Sequence, residues 1–116
     1  MDLELLREYC LAKKAVTEGF PFGEDTLVFK VSGKIFLIVS LNSSPLQFNI
    51  KCDPEKAIEL REQFSAVLPG YHMNKKMWNT VIINNSIPAK LIRSMIDDSY
   101  QLVVKTLPAK LRSGLL

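Results

Sequence analysis

A two-residue turn between two strand-like segments sets the fold class of this chain. Apolar and polar residues alternate from Glu24 to Val31, Ser32-Gly33 follows, and an apolar run extends from Lys34 to Leu41. Strand patterns on both sides of a glycine-containing dipeptide predict a β-hairpin. After the turn-forming residues Asn42 to Pro45, alternation resumes from Leu46 to Ile50 and predicts a third strand. The sequence therefore predicts an antiparallel meander.

Helical patterns precede and follow the meander. Apolar side chains three and four residues apart predict a first helix from Asp2 to about Val16. Asp53-Pro54 predicts the start of a second helix, because aspartate caps free amides and proline suits the first helical position. This second helix is expected to end at Pro69-Gly70. Its predicted buried stripe comprises Ala57, Leu60, Phe64 and Leu68.

Two shorter strands and a long helix complete the predicted order. The strand-like pieces run from Tyr71 to Asn74 and from Trp78 to Ile83, the long helix begins at Pro88, and a short helical turn covers Pro108 to Arg112. This order predicts an α+β fold, with one antiparallel sheet of about five strands packed against helices on one face. A length of 116 residues with 47% hydrophobic and 23% charged residues favours a single domain over residues 1–116.

The sequence shows no segment suited to crossing a membrane or to directing secretion. The longest apolar run, Ile35 to Val39, is far shorter than the roughly 20 residues of a spanning helix. No basic segment followed by an apolar stretch occurs at the N-terminus, so a cytoplasmic location is expected. The net charge is +3, and the basic excess lies in residues 51–116. An anion-binding surface is therefore expected to draw on the second half of the chain.

Few side chains suit catalysis or metal binding. His72 is the only histidine, and Cys10 and Cys52 lack paired spacing, so both thiols are expected to be reduced packing residues. Asp97 and Asp98 are consecutive and point about 100° apart on a helix, and Asp97 is expected to pair with Arg93. We expect no catalytic residues, no metal and no cofactor. The enzymatic alternatives are a Cys52/His72 nucleophile and base pair, or acid/base chemistry at His72 alone.

Lysines at both predicted hairpins indicate a surface that contacts phosphates. Lys30 and Lys34 flank the first turn, and Lys75-Lys76 occupies the second, closely followed by Trp78 and Asn79. Lysines at such tips can follow a nucleic-acid backbone, asparagine can contact base edges and tryptophan can stack on bases. The competing interpretation is that the lysines serve solubility and that Trp78 fills the core.

Two longer strings carry a family resemblance. The first is GYHMNKKMWNTV, from Gly70 to Val81, and the second is IDDSYQLV, from Ile96 to Val103. Together they resemble the MmcQ/YjbR-like family of small bacterial proteins, and the order of elements matches over nearly the whole chain. One position departs from that pattern, because Met77 stands where the family often has a histidine. The matched positions are Tyr71, His72, Asn74, Lys75, Lys76, Trp78, Asn79, Thr80, Asp97, Asp98, Ser99 and Tyr100.

The resemblance implies a frataxin/CyaY-like fold and DNA binding through paired β-hairpin wings. It does not imply iron chemistry, because fold does not determine function. On this basis the expected partner is duplex DNA, contacted by Lys30, Lys34, His72, Lys75, Lys76 and Asn79. The structural residues Trp78, Asp98 and Tyr100 are expected to form a hydrogen-bonded cluster that fixes the hairpin on the last long helix. The alternative is a protein- or small-ligand-binding domain with an aromatic pocket around Tyr71, His72, Trp78 and Tyr100.

Overall fold

A computed structural model describes residues 1–70 and 73–115. The helices are α1 (Leu3–Leu11), α2 (Pro54–Gln63), α3 (Ala89–Lys105) and α4 (Ala109–Arg112). The strands are β1 (Val16–Gly19), β2 (Thr26–Val31), β3 (Lys34–Ser40), β4 (Gln47–Lys51), β5 (Val67–Pro69) and β6 (Trp78–Ile82). Within these ranges, no helix is long and apolar enough to span a bilayer.

The strands form one antiparallel sheet in the order β1-β2-β3-β4-β6-β5. Its β2–β3 hairpin is the one that the sequence predicts, with Val31 paired to Lys34 across the turn. Ser32 and Gly33 have φ values of 47° and 85°, the left-handed conformations that a two-residue hairpin turn requires. The register places alternate residues of the strands on one face of the sheet, except at the irregularity between Phe29 and Lys30, where the consecutive residues Phe36 and Leu37 of β3 both belong to the core.

That face carries the core and all three long helices. The buried residues of the sheet include Leu27, Phe29, Leu37, Val39, Phe48, Ile50 and Val81. They share one cluster with helix residues that include Leu6, Cys10, Ala57, Leu60, Ile92, Ile96 and Val103. The prediction of an α+β fold with helices on one face is confirmed. We call this side of the sheet the helical face. Among the described residues, no helix covers the opposite face, which we call the open face, and Val28 and Ile38 are buried on it.

A sixth strand replaces the end of the predicted first helix. The helix ends at Leu11, and Val16 begins β1, which pairs with β2. Ala15 has a φ of 63°, which turns the chain away from a helical path, and its carbonyl accepts from the Ser32 amide. The predicted extension to Val16 is therefore wrong, because pairing with a distant strand overrides the local helical pattern.

The second helix is also shorter than predicted. It ends at Gln63, and the residues expected to form its last turn form β5 instead. Leu68, predicted to be buried, is 37% exposed on the open face. The second hairpin thus consists of β5 and β6, and the predicted strand over residues 71–74 is wrong at Met73 and Asn74. Its other two residues, Tyr71 and His72, lie outside the described residues.

Candidate nucleic-acid interface at one end of the sheet

The two lysine-bearing connections lie at the same end of the sheet. Because β3, β4 and β6 alternate in direction, the starts of β3 and β6 lie beside the end of β4. Lys51 pairs directly with Trp78, and the Cys52 amide donates to the Met77 carbonyl at 2.7 Å. Three strand spacings separate the β2–β3 turn from the β5–β6 connection, which corresponds to about 14 Å.

Other elements bring more cations to this end. α1 ends here, α2 begins here, and α3 ends here, as shown by the contact of Lys34 Nζ with the Thr106 carbonyl. We call this region the basic end. Its lysines and arginine are Lys13, Lys14, Lys30, Lys34, Lys51, Lys56, Lys75, Lys76, Lys105, Lys110 and Arg112.

Carboxylates are fewer than cations at the basic end. Asp53 caps α2 by accepting from the Lys56 amide at 3.3 Å, and Glu55 follows it in the first turn. Asp98 shares a cleft with Lys56 and Lys105, and Asp97 pairs with Lys13. The opposite end carries Asp2, Glu4, Glu24, Asp25 and Glu62, from the start of α1, the β1–β2 connection and the end of α2. Lys90 and Arg93, at the start of α3, also lie at the opposite end. The charge is therefore separated only in part along the strands, through an excess of cations at the basic end.

The lysines at the two connections differ in their surroundings. Lys34 is exposed, and its Nζ lies 3.4 Å from both the carbonyl and the hydroxyl of Thr106. Lys75 and Lys76 are exposed, and the Lys76 amide donates to Asn74 Oδ1 at 3.0 Å, which shapes the connection locally. Lys30 is half-exposed on the open face, opposite Thr17 of β1. All four predicted lysines thus reach solvent at or next to one end.

Trp78 lies on the open face rather than in the core. Its cross-strand partner Lys51 follows Ile50, whose side chain is buried on the helical face. Alternation along β4 and β6 therefore places Lys51 and Trp78 side by side on the open face. Both side chains are half-buried, so part of the indole is accessible from solvent.

Asn79 is not available to a nucleic acid. Its side chain is fully buried on the helical face, one residue along from Trp78. Asn79 Nδ2 donates to the Ala57 carbonyl at 3.2 Å, and Oδ1 accepts from Arg61 Nη1 at 3.4 Å. The predicted contact of Asn79 with base edges is therefore wrong, because the two-residue period of a strand directs it into the protein.

Arg61 is a residue of this region that sequence reasoning missed. It belongs to α2, and its Nη1 also donates to the Lys75 carbonyl at 3.0 Å. The helix is thereby tied to the β5–β6 connection. No local signal identifies this contact, since the two partners of Arg61 lie 14 and 18 residues further along the chain.

The predicted cluster of Trp78, Asp98 and Tyr100 does not form. The Tyr100 hydroxyl donates to the Lys14 carbonyl at 2.8 Å, and its ring meets Phe36 edge-on at 5.6 Å. Trp78 lies across the sheet from Tyr100, and Asp98 is exposed on α3. Because Trp78 and Tyr100 lie on opposite sides of the sheet, they do not line one aromatic pocket. The other members of that predicted pocket, Tyr71 and His72, are outside the described residues.

Asp97 links α3 to α1 rather than to Arg93. Its Oδ1 accepts from the Tyr9 hydroxyl at 2.6 Å and pairs with Lys13 Nζ at 2.5 Å. Lys13 Nζ also lies 4.8 Å from the centre of the Tyr9 ring. Burial and the hydrogen bond to Asp97 raise the pKa of Tyr9 to about 12. We call Tyr9, Lys13 and Asp97 the helix clamp.

The two cysteines are free and buried, which confirms that they are packing residues. Burial raises the pKa of Cys10 to about 12, and burial with the nearby carboxylates of Asp98 and Asp53 raises that of Cys52 to about 11. Both shifts disfavour the thiolate, which is the nucleophilic form. The predicted partner of Cys52, His72, falls outside the described residues. Across residues 1–70 and 73–115, no group of His, Cys, Asp and Glu side chains is arranged to hold a metal ion.

Comparison with known proteins agrees with the fold. A family model described as YjbR matches residues 11–102. The chain is 33% identical over 116 residues to the protein YjbR of Escherichia coli K12, covering 100% of this chain and 98% of that protein. It is 43% identical over 86 residues to the protein YbdF of Escherichia coli O157:H7, covering 73% of this chain and 70% of that protein.

Solved structures show the same architecture. A protein of Deinococcus radiodurans with a DUF419 domain superposes with a TM-score of 0.92 at 36% identity, covering 98% of this chain and 87% of that chain. A protein of Pseudomonas syringae superposes with a TM-score of 0.75 at 29% identity, covering 88% and 98% respectively. The geometry defines an α+β protein with a one-sided antiparallel sheet and a basic end. The chain belongs to the YjbR family.

Proposed function

We propose that this protein binds duplex DNA with its basic end. The observation that carries the proposal is the placement of both lysine-bearing connections at one end of the sheet, about 14 Å apart. That separation is close to the width of the major groove, about 12 Å, so the two connections can meet phosphates on opposite sides of one groove. The family resemblance supports the same role through its paired hairpin wings.

The contacts of the proposed interface are mainly electrostatic. Lys34, Lys75 and Lys76 supply charges at the two connections, and Lys30 and Lys51 extend them onto the open face. His72 remains a proposed polar contact. Because Asn79 is buried, the described part of the interface is rich in phosphate-binding groups and poor in groups that read base edges. We therefore expect binding with little sequence preference. The proposed role does not require enzymatic activity, and it places the protein in the cytoplasm, where bacterial DNA lies.

Salt dependence of binding to a short labelled duplex tests the proposal. Fluorescence anisotropy should show an affinity that falls linearly in log salt with a slope of about −3 to −5, as expected for a few neutralised phosphates. The variant Lys75→Ala/Lys76→Ala should flatten this slope by about 1 to 2. The matched control Lys90→Ala/Arg93→Ala removes two charges near the start of α3, at the opposite end, and should leave the slope within about 0.5 of the parent value.

Two results would contradict the proposal. One is an absence of binding even at ~50 mM salt, where counterion release favours association most. The other is an equal loss of slope in the control, which would assign binding to net charge rather than to the basic end.

A further inference from the structure

A groove between α2 and the β5–β6 connection combines an apolar floor with a cationic rim. Its volume is about 480 Å³, within the range of small-molecule sites. The apolar lining comes from Pro54, Ile58 and Pro69, and the cations are Arg61, Lys75 and Lys76. We call this cavity the α2 groove.

The lining of the α2 groove selects for negative charge. No carboxylate is among the described residues that line it, whereas three cations are. A neighbouring cleft of about 240 Å³ differs in this respect, because Asp53 and Asp98 accompany Lys56 and Lys105 there. An anion entering the α2 groove therefore meets attraction without an opposing carboxylate in its wall.

Arg61 is oriented before any ligand arrives. Its Nη1 is fixed by the buried Asn79 side chain and by the Lys75 carbonyl. Within the described structure, Nε and Nη2 of Arg61 have no hydrogen-bond partner. These two nitrogens form the planar edge that binds a phosphate or carboxylate with two hydrogen bonds. Holding the guanidinium in place lowers the entropy lost on binding.

The apolar floor fits a ligand that has an apolar part as well as a negative charge. Ile58 is 49% exposed although it belongs to a well-formed helix, and two prolines give the groove rigid walls. A flat ring resting on this floor would remove that apolar surface from water. We propose that the α2 groove binds a nucleotide, with the base against Pro54, Ile58 and Pro69 and the phosphates against Arg61, Lys75 and Lys76.

The same chemistry has two sources, a free nucleoside phosphate or an unpaired terminal nucleotide of a DNA chain. For the second source, the inference rests on the proposed function, because Lys75 and Lys76 also belong to the proposed DNA interface. The first source is independent of duplex binding, so the two proposals can fail separately.

Nuclear magnetic resonance titrations with three probes test the inference. Adenosine diphosphate should shift backbone amide signals around Ile58 and Arg61 and should bind about tenfold or more tightly than inorganic phosphate or adenosine alone, because base and phosphate contacts act together. Equal affinities for phosphate and adenosine diphosphate would overturn the role of the floor. An absence of shifts around the groove would overturn the site.

An exposed substitution separates the groove from the rest of the basic end. Ile58→Glu places a carboxylate on the floor and should weaken adenosine diphosphate binding about tenfold or more. Leu5→Glu makes the same change at a side chain that is 51% exposed on α1, and should leave that affinity unchanged. Equal effects of both substitutions would overturn the inference. Their far-ultraviolet circular dichroism spectra verify that both variants are folded.

Duplexes with and without a one-nucleotide overhang distinguish the two sources. Tighter binding of the overhang duplex, lost in Ile58→Glu, supports a terminal nucleotide as the ligand. Binding of adenosine diphosphate with no effect of the overhang supports a free nucleoside phosphate, and it does so even if blunt duplex is not bound. Binding of an acidic peptide at the groove, with no binding of adenosine diphosphate, would overturn the inference in favour of a protein partner.

Discussion

Asn79 connects a strand, a helix and a loop from a position without solvent exposure. Its Nδ2 donates to the Ala57 carbonyl of α2, and its Oδ1 accepts from Arg61 Nη1. Arg61 Nη1 also donates to the Lys75 carbonyl. Among the described residues, no buried side-chain polar atom lacks a partner, and this network is part of the reason. A single side chain thus helps to position the β5–β6 connection.

Removing this side chain should destabilise the protein and loosen the connection. In Asn79→Ala, the Ala57 carbonyl and Arg61 lose a buried partner, at a cost of about 1–3 kcal/mol in the free energy of unfolding. Urea denaturation measures this cost. Asn42→Ala is the control, since Asn42 is exposed in a turn and should change stability by less than about 0.5 kcal/mol. Similar values for both variants would show that the buried hydrogen bonds do not contribute.

Gly70 is required by a close approach to Trp78. Its amide donates to the Trp78 carbonyl at 2.9 Å, and an added Cβ would lie 3.0 Å from both the Cβ and the carbonyl oxygen of Trp78. Gly70→Ala should therefore lower stability by about 1–3 kcal/mol, as overpacking does. Gly19→Ala is the control, because nothing lies within 4 Å of the added atom. Thermal unfolding of the two variants should differ by several degrees, and equal midpoints would contradict the steric argument.

At the scale of elements, the helix clamp joins the two ends of the chain. Tyr9 and Lys13 lie at or just beyond the C-terminal part of α1, and Asp97 lies on α3. Tyr100 adds a second link, from α3 to the Lys14 carbonyl. The sequence separation of these partners exceeds 80 residues, so the contacts are non-local and each of them closes a long loop of the chain.

The clamp predicts a loss of stability in alkaline solution. The pKa of Tyr9 is about 12 in the folded protein and about 10 when unfolded, so its contribution is complete below pH ~10 and is lost as the pH rises towards ~12. Urea midpoints measured across this range should decline. Tyr9→Phe removes the titrating group, so it should be less stable at neutral pH but decline less steeply. The buried thiols contribute to the decline in both proteins, and identical slopes would contradict the role of Tyr9.

Local sequence signals predicted some elements and missed others for a physical reason. The β2–β3 hairpin follows from alternation around a dipeptide that accepts left-handed conformations, and α2 starts where Asp53 caps it. In contrast, β1 has four residues and β5 has three, and each depends on pairing with one neighbour in the sheet. Strands this short are stable only when they pair with a neighbouring strand, and the local sequence pattern does not reveal which strand that is.

At the scale of the whole molecule, the candidate interface depends on strand order. The lysines of each connection are evident in the sequence, but their meeting at one end follows only from the antiparallel pairing of β3, β4 and β6. Arg61 and the α2 groove depend on how α2 packs beside β6, which the local sequence pattern does not specify. Asn79 is buried because alternation along β6 directs its side chain to the helical face. A one-residue shift in the pairing register of β6 would direct this side chain to the open face instead.

The spacing of the connections predicts independent contributions to DNA binding. Because the two sites are about 14 Å apart, beyond the Debye length at ~0.1 M salt, their effects should add. Lys34→Ala alone should flatten the salt slope by about 1, and Lys34→Ala/Lys75→Ala/Lys76→Ala should flatten it by about 2 to 3. Anisotropy titrations of the single, double and triple variants provide the comparison. A triple variant no weaker than the double would show that only the β5–β6 connection contacts DNA.

The separation of charge along the strands gives the molecule a permanent electric dipole that its net charge of +3 does not express. In the field of a polyanion, such a dipole exerts a torque, so the basic end turns towards the polymer while the protein is still diffusing. Productive encounters then make up a larger fraction of all encounters than random orientation would allow. The association rate constant consequently gains from the arrangement of the charges as well as from their sum, and added salt suppresses both gains.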